Sequence, residues 1–450
     1  VRRLVRVALV AAFVSAPLSG TAEVAAITPP GVDDSLLPHP QSPAPPQPTE
    51  QTGPCTTARE VALGRDVGGQ LRDLDLRSVW PLTRGAGQTV AVIDTGVSRH
   101  RLLPRLVPGG DYVSSGDGTD DCDGHGTIVA GIIGATPGSD APDVFSGIAP
   151  EATIIGIRQS STKFSAEDGR AGSGFGDVDT LARAVRTAAD MGATVINIST
   201  VACVAADTEL DDGPLGAALA YAVDTKNVVV VAAAGNTGAP GQCEHQNPAR
   251  SGPPDWDTLA AVVSPAWYDD YVLTVGSTGP SGAASEFTLA GPWVDVAAPG
   301  EQVVSLIRDG DGFVATVPTP SGEKPLAGTS YAAPVVTGIV ALLRSRSPQL
   351  TAREVMRRIE DTARHPAGGW NPLVGHGVVD VAAAVTGGAR SPADPDRPTM
   401  VSSSRRQPPD RRATRTAIRG TAICFAVVGI VIAMTLWSRR LRRSHSVTRG

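Results

Sequence analysis

The chain has 450 residues, of which 41% are apolar, 4% aromatic and 19% charged. That apolar share supports a sizeable core of Ala, Val, Ile and Leu and excludes a wholly disordered chain, while the length suits one large domain with appendages. The net charge of −6 is uneven: residues 397–450 carry twelve arginines and one acid, leaving 27 basic and 44 acidic groups elsewhere. An acidic body of this kind argues against nucleic acid as its partner.

In chain order, Arg2, Arg3 and Arg6 precede an apolar Val7–Val14 run and then small residues, with cleavage expected after Ala22 or Ala26. This is the pattern of a secretory signal, placed at residues 1–26. Residues 27–60 follow as an N-terminal extension, and its first part, 27–54, holds nine prolines. It reads as an extended, poorly ordered arm.

Residues 61–387 alternate strand-like and helical signals. Apolar runs at Thr89–Ile93, Ala152–Ile157, Thr194–Ile198, Val228–Ala234, Val272–Val275 and Val294–Ala297 predict buried strands. Helices are expected at Gly126–Gly134, Thr180–Met191, Leu215–Thr225 and Ser330–Ser345. Such alternation predicts an α/β fold with a mostly parallel central sheet and helices on both faces, its sites at the carboxyl ends of strands.

Residues 388–416 read as a flexible linker and 417–437 as one transmembrane helix. The uncharged stretch TAICFAVVGIVIAMTLW is flanked by arginines and ends on Trp437, where an interfacial aromatic belongs. Seventeen helical residues reach roughly 26 Å, and Ala417 and Ile418 extend them towards the ~30 Å of a hydrocarbon core. Arginines balance across the span, so the signal sets the orientation: an exported body and a cytoplasmic tail at 438–450. Cys424 lies in the span; Cys55, Cys122, Cys203 and Cys243 form an even set outside it, with no Cys-x-x-Cys. They point to two disulfides in an oxidising compartment, with three pairings open.

Three strand or helix termini carry chemistry. Asp94 ends the Ala91-Val92-Ile93 strand, His125 opens an apolar helix in Asp123-Gly124-His125-Gly126-Thr127, and Ser330 opens the most apolar helix in Gly328-Thr329-Ser330-Tyr331-Ala332-Ala333-Pro334. Alone, each could be a turn or an N-cap. Together they supply what a serine nucleophile needs: a base to take its proton and a carboxylate to orient that base. A helix N-terminus adds N–H groups where an oxyanion would form. Asn236, after the buried Val231–Gly235 run, could donate its side-chain N–H₂ beside the Ser330 N–H. The order Asp, His, Ser is that of subtilisin rather than of chymotrypsin or the α/β-hydrolases.

These four motifs resemble the subtilisin-like serine proteases over roughly residues 75–387. The resemblance implies a subtilisin-like fold and peptide-bond hydrolysis through an acyl-enzyme, without cofactor or metal. Asp94 would orient the base, His125 act as base and then acid, Ser330 as nucleophile and Asn236 as oxyanion donor. Substrate would lie along Ser199, Thr200, Val201 and Gly235. Thr200-Val201-Ala202 stands where such proteases usually carry a Leu-Gly-Gly edge, which bears on specificity. The segment Gln159–Asp177 reads as an insertion near the cleft, either restricting access or inert.

The order of signal, Pro-rich arm, protease domain, linker and span resembles mycosins, the membrane-anchored subtilisin-like proteases of type VII secretion systems. This narrower resemblance implies an arm that wraps the protease domain, disulfides Cys55–Cys122 and Cys203–Cys243, and the secretion complex as partner. The reading is a single-pass, extracytoplasmic serine endopeptidase of narrow specificity acting on a secreted polypeptide. The competing reading is a structural component of the complex with proteolysis secondary. Asp94-Thr95-Gly96 also fits an aspartic protease, but no second such motif exists in the chain. Asp117, Asp120, Asp121 and Asp123 crowd one loop without calcium-loop spacing and read as turns.

Overall fold

The computed structural model describes residues 27–62, 69–138, 145–167, 174–238, 242–250, 252–319 and 322–388. The expected signal, the linker beyond 388, the span at 417–437 and the tail lie outside the described residues. Among the described residues no helix is long and apolar enough to cross a membrane.

Seven strands form the central sheet: β1 (Thr89–Asp94), β2 (Leu106–Asp111), β3 (Thr153–Arg158), β4 (Val195–Ile198), β5 (Val229–Ala233), β6 (Val272–Thr278) and β7 (Val296–Pro299). They lie in the order β7-β6-β5-β4-β1-β3-β2, and every pairing is parallel. Six grow from the expected apolar runs, because strands buried on both faces need apolar side chains at successive positions. The exception is β2, whose Pro108, Gly109 and Gly110 hide it from an apolar-run search. It sits at the sheet edge, where a missing N–H costs no ladder bond.

Five helices matter for the site: α1 (His125–Gly134), α2 (Val178–Asp190), α3 (Gly213–Ala220), α4 (Thr329–Arg346) and α5 (Ala352–Thr362). α1 packs on α4, and α2 on α3, so the two pairs cover the sheet. Fifteen of the eighteen residues of α4 are buried, as expected of a helix apolar on all sides. Its Pro334 has no N–H, so the carbonyl of Ser330, four residues earlier, loses its helical partner. Ser199 Oγ, at the end of β4, donates to that carbonyl at 2.8 Å. Ser199 is held in turn by Asn197 Nδ2 at 2.9 Å, and Thr337 Oγ1 donates to Asn197 Oδ1 at 2.8 Å.

The Pro-rich arm is extended, as expected, but it is fastened rather than poorly ordered. Thr49–Gln51 pairs antiparallel with Phe164–Ala166 of the inserted segment. Val32 and Leu37 pack against the main core. Arg186 Nη1 donates to Pro38 O at 3.2 Å, and Thr56 N to Cys122 O at 2.8 Å. The disulfides are Cys55–Cys122 and Cys203–Cys243.

Candidate active site

The site assembles where the chain leaves β1, β4 and β5 and enters α1 and α4. Asp94 ends β1 and is fully buried. Its Oδ1 accepts from Thr95 N at 2.8 Å and lies 2.7 Å from His125 Nδ1. A carboxylate only accepts, so Nδ1 carries the proton and Nε2 is left as acceptor. Two close backbone approaches bring the residues together. A Cβ on Gly126 would lie 2.0 Å from Gly96 O, and one on Gly96 (φ +100°) 2.1 Å from Asp120 O. Neither position admits a side chain.

Asp121, read from sequence as a turn residue, fastens this junction. Its Oδ1 accepts from Thr95 Oγ1 at 2.8 Å and Gly124 N at 2.7 Å. Its Oδ2 accepts from Thr127 N at 2.8 Å and Thr127 Oγ1 at 2.6 Å. Thr95 Oγ1 also accepts from Gly126 N at 3.0 Å. Donors that the first turn of α1 would leave unpaired are therefore satisfied by the end of β1 and by Asp121. Burial pushes the Asp121 carboxyl up to about 6, against the pull of the Thr127, Thr95 and Gly124 hydrogen bonds. Asp123 accepts from Thr162 N at 2.9 Å and from the hydroxyls of Ser161 and Thr162. The carboxylates of Asp121 and Asp123 are thus engaged by protein donors.

The His125 side chain is 24% exposed. Burial draws its pKa down, but the charge and hydrogen bond of Asp94, with the charges of Asp121 and Asp123, outweigh it. The net shift is upward. The ring of Tyr331, the residue after Ser330, packs 5.2 Å from that of His125. The sequence motif alone assigns Tyr331 no role; an aromatic beside the candidate nucleophile is the available signal.

Ser330 is the second residue of α4. A Cβ on Gly328 would lie 3.0 Å from Ser330 Oγ and 3.8 Å from Asn236 Nδ2, so hydroxyl and amide face one small space. Asn236 Oδ1 accepts from Thr329 N at 3.0 Å and Thr329 Oγ1 at 3.1 Å, which turns Nδ2 away from those donors. Among the described residues the Ser330 hydroxyl makes no hydrogen bond.

His125, Ser330, Asn236, Ser199, Thr200 and Val201 all line one cleft of about 1060 Å³. Gly235, expected to border substrate, adjoins it beside Asn236. Both described ends of the inserted segment, Gln159–Lys163 and Gly174–Asp177, form cleft wall, as do Pro54–Thr56 of the arm and Thr316–Pro318. Thr316–Pro318 belongs to a hairpin, Thr316–Thr319 with Gly322–Pro325, that the sequence did not reveal. Such a cleft can bind an extended chain, remove a proton from a hydroxyl and stabilise an oxyanion.

Residues 85–377 match the subtilase family, Peptidase S8. Mycosin-4 of Mycobacterium tuberculosis is 54% identical, with 100% of this chain and 99% of that protein covered. Mycosin-3 of the same organism is 42% identical over 93% of this chain and 94% of its own length. Among solved structures, the MycP3 protease from the type VII (ESX-3) secretion system aligns with a TM-score of 0.74 at 47% identity, over 80% of this chain and 99% of that one. A chain of the periplasmic assembly of the ESX-5 inner membrane complex aligns with a TM-score of 0.75 at 41% identity, over 85% and 100%. The chain therefore belongs to the subtilase family, in its mycosin branch, and is a subtilisin-like serine endopeptidase.

Proposed function

We propose that this chain is a membrane-anchored, extracytoplasmic endopeptidase of narrow specificity, working with a type VII secretion complex on a secreted polypeptide. The observation that carries the mechanism is the 2.7 Å contact of His125 Nδ1 with Asp94, in one cleft with Ser330 and Asn236. His125 Nε2 takes the Ser330 Oγ proton as the oxygen attacks the scissile carbonyl. The oxyanion is held by Asn236 Nδ2 and the Ser330 N–H, at the positive end of α4. Collapse breaks the C–N bond, and His125 hands its proton to the departing amine. Water then repeats the sequence on the acyl-enzyme, with His125 again first base and then acid.

Narrow specificity is supported by cleft walls contributed by the arm, the inserted segment and the hairpin. The secretion partner is supported by relatives found in ESX-3 and ESX-5 systems. Anchoring rests on the sequence of 417–437, export on residues 1–26, and the division into extension 27–60, protease domain 61–387 and linker 388–416 on composition. A largely structural role in the complex is the second reading, favoured by the arm and inserted segment that border the cleft. Fluorophosphonate labelling of the full chain, with Ser330→Ala as control, decides between them. Labelling lost in Ser330→Ala supports the protease; a folded, unlabelled wild type moves the structural role ahead.

A further inference from the structure

The side chain on the acyl side of the scissile bond, P1, must enter beside the oxyanion site. β4 and β5 are adjacent parallel strands, so the chain leaving them, Ser199–Ala202 and Ala234–Asn236, forms two facing walls. Each wall is pinned to the start of α4, the first by Ser199 Oγ on Ser330 O and the second by Asn236 Oδ1 on Thr329 N.

The space between these walls is closed behind. Ala202–Ala205 pairs antiparallel with Ala261–Ser264, placing Cys203 opposite Val263, and the Cys203–Cys243 disulfide bridges the walls. A Cβ on Gly235 would lie 3.2 Å from Val263 Cγ2, 3.5 Å from Leu289 Cδ2 and 3.6 Å from Cys243 Sγ. Val263 and Leu289 are 0% exposed and belong to a second apolar cluster with Trp293 and Val294. Val201 packs against that cluster from the opposite wall. Cys203 and Cys243 line the cleft whereas Val263 and Leu289 do not, so the opening ends at the disulfide. Among the described residues no charged side chain lines this end; the charged lining residues, among them Asp123, Lys163 and Arg308, belong to other segments.

We infer that this P1 site is filled by the protein's own Val201, Val263, Leu289 and Cys203–Cys243, and accepts only glycine, alanine or serine. The inference rests on the proposed role of Ser330. A leucine, phenylalanine or lysine would have to displace a disulfide or close-packed aliphatic side chains, which a core at crystal-like density resists.

The test uses the full chain with its disulfides intact. A fluorophosphonate without a P1 side chain first reports whether Ser330 reacts. Peptidyl diphenyl phosphonates differing only in P1 (Ala, Leu, Phe, Lys) then report the pocket. The Ala probe is expected to label about 100-fold faster than the Phe or Lys probe, the range one pocket wall can discriminate. Val201→Gly, at the cleft, is expected to raise the Phe-to-Ala rate ratio by about 10-fold or more. That ratio is unmoved by a general loss of activity. A wild type that takes Phe within about threefold of Ala, or a ratio unchanged in Val201→Gly, overturns the filled pocket. Absence of fluorophosphonate labelling instead overturns the nucleophile assignment, and the inference with it.

Discussion

The two halves of the cleft both stand on buried helices but are tied down by different means. The half that carries Ser330 stands on a helix buried on nearly every side and is held by apolar packing plus a few bonds to β4 and Asn236. The half that carries His125 is held by polar staples: Asp94 and Asp121 from below, the Asp123 contacts to the inserted segment, and Cys55–Cys122 to the arm. Both halves draw on contacts distant in sequence, Ser199 to Ser330 in the first and Cys55 to Cys122 in the second. The second adds ties to the arm and to segment 159–177, whose removal reaches the imidazole without touching it.

Substitutions can break or sharpen this contrast. Ser330→Ala should lower kcat by about 10⁶, and turnover near wild type in single-turnover assays would sink the mechanism. Asp94→Asn should cost about 10⁴ and also move the pH profile. Because Asp94, together with Asp121 and Asp123, outweighs burial at His125 and the imidazole must be neutral to act, wild-type kcat/KM should rise through a pKa raised above the ordinary histidine value. In Asp94→Asn that limb should shift to lower pH; an unmoved limb would assign it to another group. Asn236→Ala should lower kcat by about 10²–10³ with little change in KM.

Two milder changes separate the halves. Replacing Cys55 and Cys122 by serine should cost about 2–4 kcal/mol in denaturant unfolding. It should also depress turnover through His125 while P1 selectivity stays as in wild type. Ser199→Ala leaves the Ser330 carbonyl without its donor and should cost about 1–3 kcal/mol, read the same way. Equal losses of turnover from both changes would erase the proposed distinction between the halves.

The legibility of the sequence follows the same division. Six of the seven sheet strands and the helix of Ser330 could be read from apolar runs, because burial on all sides leaves no polar face to confuse the pattern. The four motifs lie at the ends of those runs. Asp121 could not be read, since its four donors come together only when the end of β1 meets α1. The arm reads as poorly ordered because prolines lower apparent order, yet what fastens it lies far along the chain, as in Cys55–Cys122 and Thr49–Ala166. Helix α5, absent from the expected helices, is legible too: Thr351 and Glu354 form a capping box ahead of Val355, Met356 and Ile359.

Pro334 has a further consequence. By withholding one N–H it leaves the backbone of Ser330 answering to β4 rather than to its own helix. The residue that answers, Ser199, opens the edge along which a peptide would lie. Filling the groove and aiming the hydroxyl therefore share a hinge pin: a chain that nudges Ser199 also turns the residue that attacks it, and one that seats badly leaves the attacker off its line.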